Sequence, residues 1–341
     1  MTIELARIAE AIDHLITAPM SNWTILKGIP LDSLYEASRR RAKQPLTLAA
    51  ADLLAKRVKP GDRVLMVSGF IMRDYGLPET DGPIGAAVLA RALALGLGAV
   101  PIGVSEASVL PCLEACFAAA GLIPATVEAL GRGRNRCAFV EFPVDASFAA
   151  AKARRILDEL EPKALIAVER PGAGADGEYH GGGGFAISSF TAKTDVLFAL
   201  AQERGIATIG IGDLGNELGL GVVAAEVRAH VPLGETIAAH LAADVAVIAN
   251  ISNWGAYGVA ACLAAMLGND GLFHDGRDEL RLIDACVAAG AIDPVGGQRR
   301  AWVDGTDAAT NAAMVDLLRS VVVLSQREKV NIDGYRSSWR A

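Results

Sequence analysis

The apolar residues of this chain follow two periods that take turns from end to end. Leu5, Ile8, Ile12 and Leu15 recur at helical spacing. Similar stripes predict helices over roughly 3–18, 31–42 and 46–57, until Pro60-Gly61 breaks the pattern. Short apolar runs then begin: "DRVLMVSG" (62–69), "AVPIGV" (99–104), "CAFVEF" (137–142), "ALIAVE" (164–169), "IATIGI" (206–211) and "VAVIAN" (245–250). They lack the apolar–polar alternation of a half-exposed strand, which marks strands covered on both faces. "PATVEAL" (124–130) reads as a further short strand. Helical patterns over 84–96, 107–120, 146–160, 192–204, 221–229, 234–242, 278–289 and 307–326, and one opening with "ISNWGAYGVAACLAAML", separate or follow these runs. Strands alternating with helices predict an α/β fold, a mainly parallel sheet with helices on both faces, plus a helical N-terminal segment. The expected organisation is a helical segment (1–60) packing on the sheet edge or making a subunit contact, one α/β catalytic or ligand-binding domain (61–330), and a tail (331–341).

Composition narrows the class. Just over half of the 341 residues are apolar, only 5% are aromatic, and Ala, Leu, Val and Gly dominate, as in a well-packed α/β protein. A formal charge of −7 argues against a nucleic-acid or anionic-membrane partner. Five scattered cysteines form no CxxC pair, which suits a reducing compartment. Cys112 and Cys116 share a helix face but have no further Cys or His beside them, so core packing is expected of them. The N-terminus has early Glu residues and no continuous apolar stretch, unlike a secretory signal. A cytoplasmic location is expected.

The candidate chemistry lies at strand ends, because open parallel sheets bind ligands beyond the carboxyl ends of their strands. Four such ends carry polar, glycine-rich loops. Strand 62–69 leads to Arg73, Asp74, Glu79, Thr80 and Asp81; strand 164–169 to Glu169, Arg170, Asp176, Tyr179 and His180; strand 206–211 to Asp213, Asn216 and Glu217; strand 245–250 to Asn250, Ser252, Asn253 and Trp254. Each loop has a plain structural reading. "TDGPIGA" suits a helix start with Thr80 or Asp81 as N-cap, and such a start, including Gly82 and Gly85, also offers N–H groups to a carboxylate or phosphate. "GDLGNELGLG" (212–221) suits a tight turn, yet two acids and an amide within five residues also suit a divalent cation or a substrate ammonium. "SNWGAYG" suits a helix capped by Ser252 or Asn253. The glycine tract 181–184 is expected to be a mobile loop of the site. No GxGxxG follows the first strand and no GxxxxGK[ST] occurs, so no nicotinamide or flavin is expected. GxSxG and HExxH are also absent.

"ETDGPIGAAVLARAL", "ERPGAGADGEYH", "IGIGDLGNELGLG" and "SNWGAYGVAA" together resemble the signatures of the D-glutamate cyclase C-terminal-like family, over about residues 30–325. The glycine richness of 172–184 and the turn "DPVGGQ" (293–298) depart from the family pattern. The resemblance implies an enzyme that interconverts glutamate, or a related small amino acid, with a 5-oxoproline-type lactam. Cyclisation needs a neutral amine, a polarised γ-carboxyl and a proton for the departing water. On that premise Asp213 and Glu217 contact the amine or a metal (magnesium or manganese), and Glu169 is the acid/base. Arg170 or Arg73, with the Thr80–Gly85 helix start, holds the substrate carboxylate; Asp176, Asn216, Ser252 and Asn253 complete the substrate contacts. The competing expectation is a sensor for a small anionic ligand such as a sugar phosphate or nucleotide. A homo-oligomer is expected.

Overall fold

The computed structural model describes residues 3–21, 28–130 and 133–326; the expected tail, 331–341, lies outside them. Three helices come first: α1 (Ile3–Ile16), α2 (Leu31–Ala42) and α3 (Leu46–Arg57). The sheet then assembles from β1 (Arg63–Ser68), β4 (Val100–Ser105), β5 (Ile123–Pro124), β6 (Arg136–Glu141), β7 (Ala164–Val168), β8 (Ala207–Gly212) and β9 (Val245–Ile248). Its order is β5-β6-β4-β1-β7-β8-β9, and every pairing is parallel. Leaving aside the short β5, this is the 3-2-1-4-5-6 order of a doubly wound sheet. The chain reverses its direction of growth between β1 and β7, and that switch opens a crevice at the carboxyl ends of the strands.

Both faces of the sheet are covered. On one face α4 (Pro83–Leu97) and α10 (Ser252–Leu267) pack closely together, with α1, α3 and α12 (Ala308–Ser325) around α10. α10 is buried on all sides from Ser252 to Ala264, which explains its uniformly apolar sequence. α6 (Ala146–Leu160) and α7 (Thr194–Glu203) cover the other face. α5 (Leu110–Ala119) and α11 (Gly276–Ala288) extend the first layer, and all five cysteines are buried and free. α2 and α3 lie against the edge strand β9, with Asp13 of α1 as their tether. Its carboxylate accepts hydrogen bonds from Tyr35 Oη (2.9 Å), Leu46 N (2.6 Å), Thr47 N (3.2 Å) and Thr47 Oγ1 (2.5 Å). α12 is long and apolar enough to cross a membrane by length and composition; here it packs on α10 and α11.

Two segments depart from the sequence pattern. The helix expected over 234–242 ends after one turn, α9 (Gly234–Ile237), following α8 (Ala224–His230). Ala239 N and His240 N donate to Gly215 O and Ala173 O (3.0 and 2.9 Å), so tertiary hydrogen bonds pull this apolar stretch straight. "PATVEAL" yields the strand residue Pro124 and a 3-10 turn at Val127–Ala129. The loop after β1 holds a hairpin, β2 (Ile71–Met72) with β3 (Leu77–Pro78), and β10 (Trp302–Val303) pairs with β11 (Thr306–Asp307).

Candidate active site

A cavity of about 290 Å³ lies at the carboxyl ends of β1, β7 and β8. Glu79, Asp81, Glu169, Asp213 and Asp304 line it, with Asn216 and Asn250, and Gly181–Gly183 and Phe185 form part of its wall. Among the described residues lining it, Arg73 is the cation. Its Nε donates to Asp74 (2.9 Å), and its guanidinium lies 4.1 Å from the Phe185 ring centre. Ligand oxygens of Asp81, Glu169 and Asp213 fall within 4.8 Å of one another.

Each carboxylate of this trio is held by a different device. Asp81 faces the start of α10: its oxygens accept from Ser252 N (2.9 Å) and Asn253 N (2.8 Å), and from its neighbour Gly82 N (3.0 Å). Asn253 returns the favour at the start of α4, where its Oδ1 accepts from Gly82 N (2.8 Å) and Gly85 N (2.7 Å) while its Nδ2 donates to Thr80 O (3.2 Å). The two helix N-termini are thus capped by side chains from each other's first turn or flank. Neither Thr80 nor Asp81 caps its own helix, and the N–H groups of Gly82 and Gly85 are already used. Gly82 has φ 97°, and a Cβ there would meet Glu169 Cβ and Ser68 Oγ at 2.8 Å, so glycine is required.

Glu169 follows β7 with a left-handed backbone, φ 41°, and its Oε2 accepts from Ser252 Oγ at 2.5 Å. Asp213 is set by its own loop. Glu217, fully buried, accepts from Asp213 N (2.8 Å), Leu214 N (2.9 Å) and Gly215 N (2.6 Å). Gly210, Gly212 and Gly215 have GxGxxG spacing, a weak phosphate signal by itself. Here the row of N–H groups such a loop would offer to a phosphate is filled by the chain's own carboxylate. A second zipper joins this loop to the one after β7: Leu218 N donates to Arg170 O (2.7 Å) and Gly172 N to Asn216 O (2.8 Å).

The electrostatics follow from this crowding. Burial raises the Glu169 carboxyl well above its ordinary range, and Glu217, Glu79 and Asp81 push it further. Burial, then Glu169, Asp304 and Glu217, does the same to Asp213. Glu79 is raised by burial and by Asp81, Asp304, Glu217 and Asp293. Asp81 reaches about 7, since burial outweighs the backbone donors that favour its charged form. So many buried acids cannot all ionise together, and they share protons.

The remaining predicted residues separate. Arg170 is fully buried outside this cavity lining. It pairs with Glu106 (2.7 Å) and donates to Thr194 Oγ1, Gly69 O, Ser105 Oγ and Ala192 O, so its guanidinium fastens loops together and is not presented to a ligand. Asp176 is exposed, accepting from Glu178 N (3.0 Å). Thr80 donates through Oγ1 to Trp302 O (2.8 Å). Asn216 reaches the cavity, its Nδ2 donating to His180 O (3.0 Å). Glu79 and Asp304 also line the cavity; Glu79 was named in the loop after the first strand but given no role, and Asp304 was not named. Glu79 carried a signal, lying two residues before Asp81 in a loop already suspected. Asp304, in the β10–β11 turn, follows no long strand and carried none.

A family model described as "D-glutamate cyclase-like, C-terminal" matches residues 31–319. Over 100 residues the chain is 45% identical to D-glutamate cyclase, mitochondrial, of Homo sapiens; that stretch is 29% of this chain and 16% of the human protein. A solved chain described as "Crystal structure of gox2181" overlaps 80% of this chain and 93% of its own length at 15% identity and a TM-score of 0.28, too loose a likeness to carry an argument.

Proposed function

The chain belongs to the D-glutamate cyclase-like family, and from that premise we propose that it interconverts glutamate, in its D form, with 5-oxoproline and water. The forward reaction joins the α-nitrogen to the carbon of the γ-carboxyl group (Cδ) and breaks a C–O bond on that carbon. Two protons leave the ammonium and end on the departing oxygen, so a group beside the substrate must take up and return protons. The observation that carries this reading is the convergence of Asp81, Glu169 and Asp213, within 4.8 Å, in one cavity. Carboxyls of raised proton affinity are suited to such a relay.

The cavity's size supports the substrate class. About 290 Å³ lies at the lower end of the roughly 300–1,000 Å³ of ligand pockets, fitting a five-carbon amino acid better than a dinucleotide. Its polarity supports one orientation, with the ammonium toward the acids and an outer carboxylate toward Arg73.

The test incubates the full chain with D-glutamate, L-glutamate or 5-oxoproline and follows the ring carbonyl by carbon-13 NMR. Conversion of the D compounds, lost in Asp213→Asn, is expected. Thermal stabilisation by any of them without product would make the protein a binding module, and absence of both would end the cyclase reading.

A further inference from the structure

We propose that Asp81, Glu169 and Asp213 form a binding site for one hard divalent cation, magnesium or manganese. Three observations lead there. The first is spacing: the three ligand oxygens lie within 4.8 Å of one another. Oxygens sharing a shell around an ion bound at about 2.1–2.4 Å lie roughly 3 to 5 Å apart. The second is donor type, since the set is all carboxylate, with neither sulfur nor imidazole, which selects magnesium or manganese over zinc or copper.

The third observation is independent of the trio. Glu79 is only 6% exposed, lines the same cavity, and no described group donates a hydrogen bond to its carboxylate. A buried carboxylate left without donors is costly; it is answered either by a proton or by a cation, or water bound to one, and a cation at the neighbouring trio would serve Glu79 as well. An ammonium ion would engage one or two of these groups and leave the others uncompensated. Arg73 does not serve either, being exposed and engaged with Asp74.

Three protein oxygens leave the rest of an octahedral shell to water or substrate, as magnesium prefers. The role of the ion rests on the cyclase reading: it would offset the cavity's negative charge and receive the substrate's γ-carboxylate. Its existence does not rest on that reading.

The experiment uses the chelator-treated full chain and manganese alone, counting bound ion by loss of the free-ion electron paramagnetic resonance signal. One manganese per chain, displaced by magnesium, is expected. Asp213→Asn and Glu169→Gln should each weaken binding at least about 10-fold, with folding checked by circular dichroism. The Asp213 carboxylate has no hydrogen bond from a described group to lose, so Asn is well tolerated there. Asp278→Asn, on the distant α11, should leave affinity unchanged. Absence of binding, or affinity unmoved by both substitutions, overturns the site. Manganese binding without lactam formation keeps the site and ends the cyclase reading. Turnover by protein that binds no metal does the reverse.

Discussion

Glu217 is where the structure makes its sharpest demand, and Glu217→Gln tests it. The carboxylate accepts three backbone N–H bonds at 2.8, 2.9 and 2.6 Å. Bonds to a charged acceptor contribute about 1.5–3 kcal/mol each, and neutral ones about 0.5–1.5. The amide oxygen of Gln retains the Asp213 and Leu214 bonds at reduced strength, losing about 1 kcal/mol each. The new NH₂ faces the Gly215 N–H, donor against donor, and that bond is lost at about 1.5–3 kcal/mol. Relief of repulsion on Glu169, Asp213 and Glu79, all raised by Glu217, returns a part. The net loss is about 2–4 kcal/mol, a large share of a typical stability of about 5–15. Equilibrium urea unfolding measures it, and turnover of D-glutamate at matched folded fraction reads the displaced Asp213. Gly212→Ala should reproduce the phenotype from the other side, since a Cβ there would lie 2.5 Å from Glu217 Cδ. If Glu217→Gln loses less than about 1 kcal/mol and turns over normally, Glu217 does not hold this loop.

Arg170→Ala strands Glu106 in the core and should cost about 3–5 kcal/mol, read as a lower urea midpoint. The same substitution at the exposed Arg73 should spare stability and instead raise the KM for glutamate. Gly82→Ala forces a side chain into a left-handed backbone against Glu169; loss of turnover with a melting temperature lowered by several degrees is expected. Asp275 and Asp307 cap α11 and α12, and backbone N–H bonds from Asp278 and Thr310 hold their carboxyls below the ordinary value. A depressed folded value means the caps stabilise above the unfolded value of about 3.9, and that stability is lost as pH falls through the folded value. Their Ala variants should cost up to about 1 kcal/mol each at pH 7, discounted for exposure, and the gap from wild type should close in acid urea titrations.

How much of this the sequence carried differs between scaffold and site. Residues 31–42, 46–57 and 146–160 were legible as helices to the residue, because stripes, prolines and caps all act locally. Strand-end reasoning also placed Glu169 and Asp213 on one rim, since topology decides that. It could not say which way each polar side chain turns. Arg170, next to Glu169, turns away because Glu106 waits for it from after β4. Glu217 turns into its own loop because three N–H groups converge there. Asp81 finds its donors 171 and 172 residues away, a pairing no local window contains. The failed helix over 234–242 has the same cause, as its backbone bonds to two remote loops outweigh its propensity.

Those remote bonds also explain how the fold tolerates so acidic a cavity. A buried carboxylate needs compensation, and the usual source would be arginine or lysine. Here the compensation comes from backbone: the first turn of α10 faces Asp81, and the N–H groups of the 213–215 loop face Glu217. The positive ends of α4 and α10 both point to this region, and a helix N-terminus favours negative charge by about 0.3–1 kcal/mol. Backbone donors are fixed in place and cannot swing into the cavity to neutralise it as a lysine could. The acids are therefore restrained in position while their charge stays only partly met. That combination makes a positively charged ligand, metal or ammonium, the strongest remaining partner for the site. On the cyclase reading, reciprocal capping by Asp81 and Asn253 would serve the chemistry as well as the fold, because the same bonds that close two helices aim one of the carboxylates.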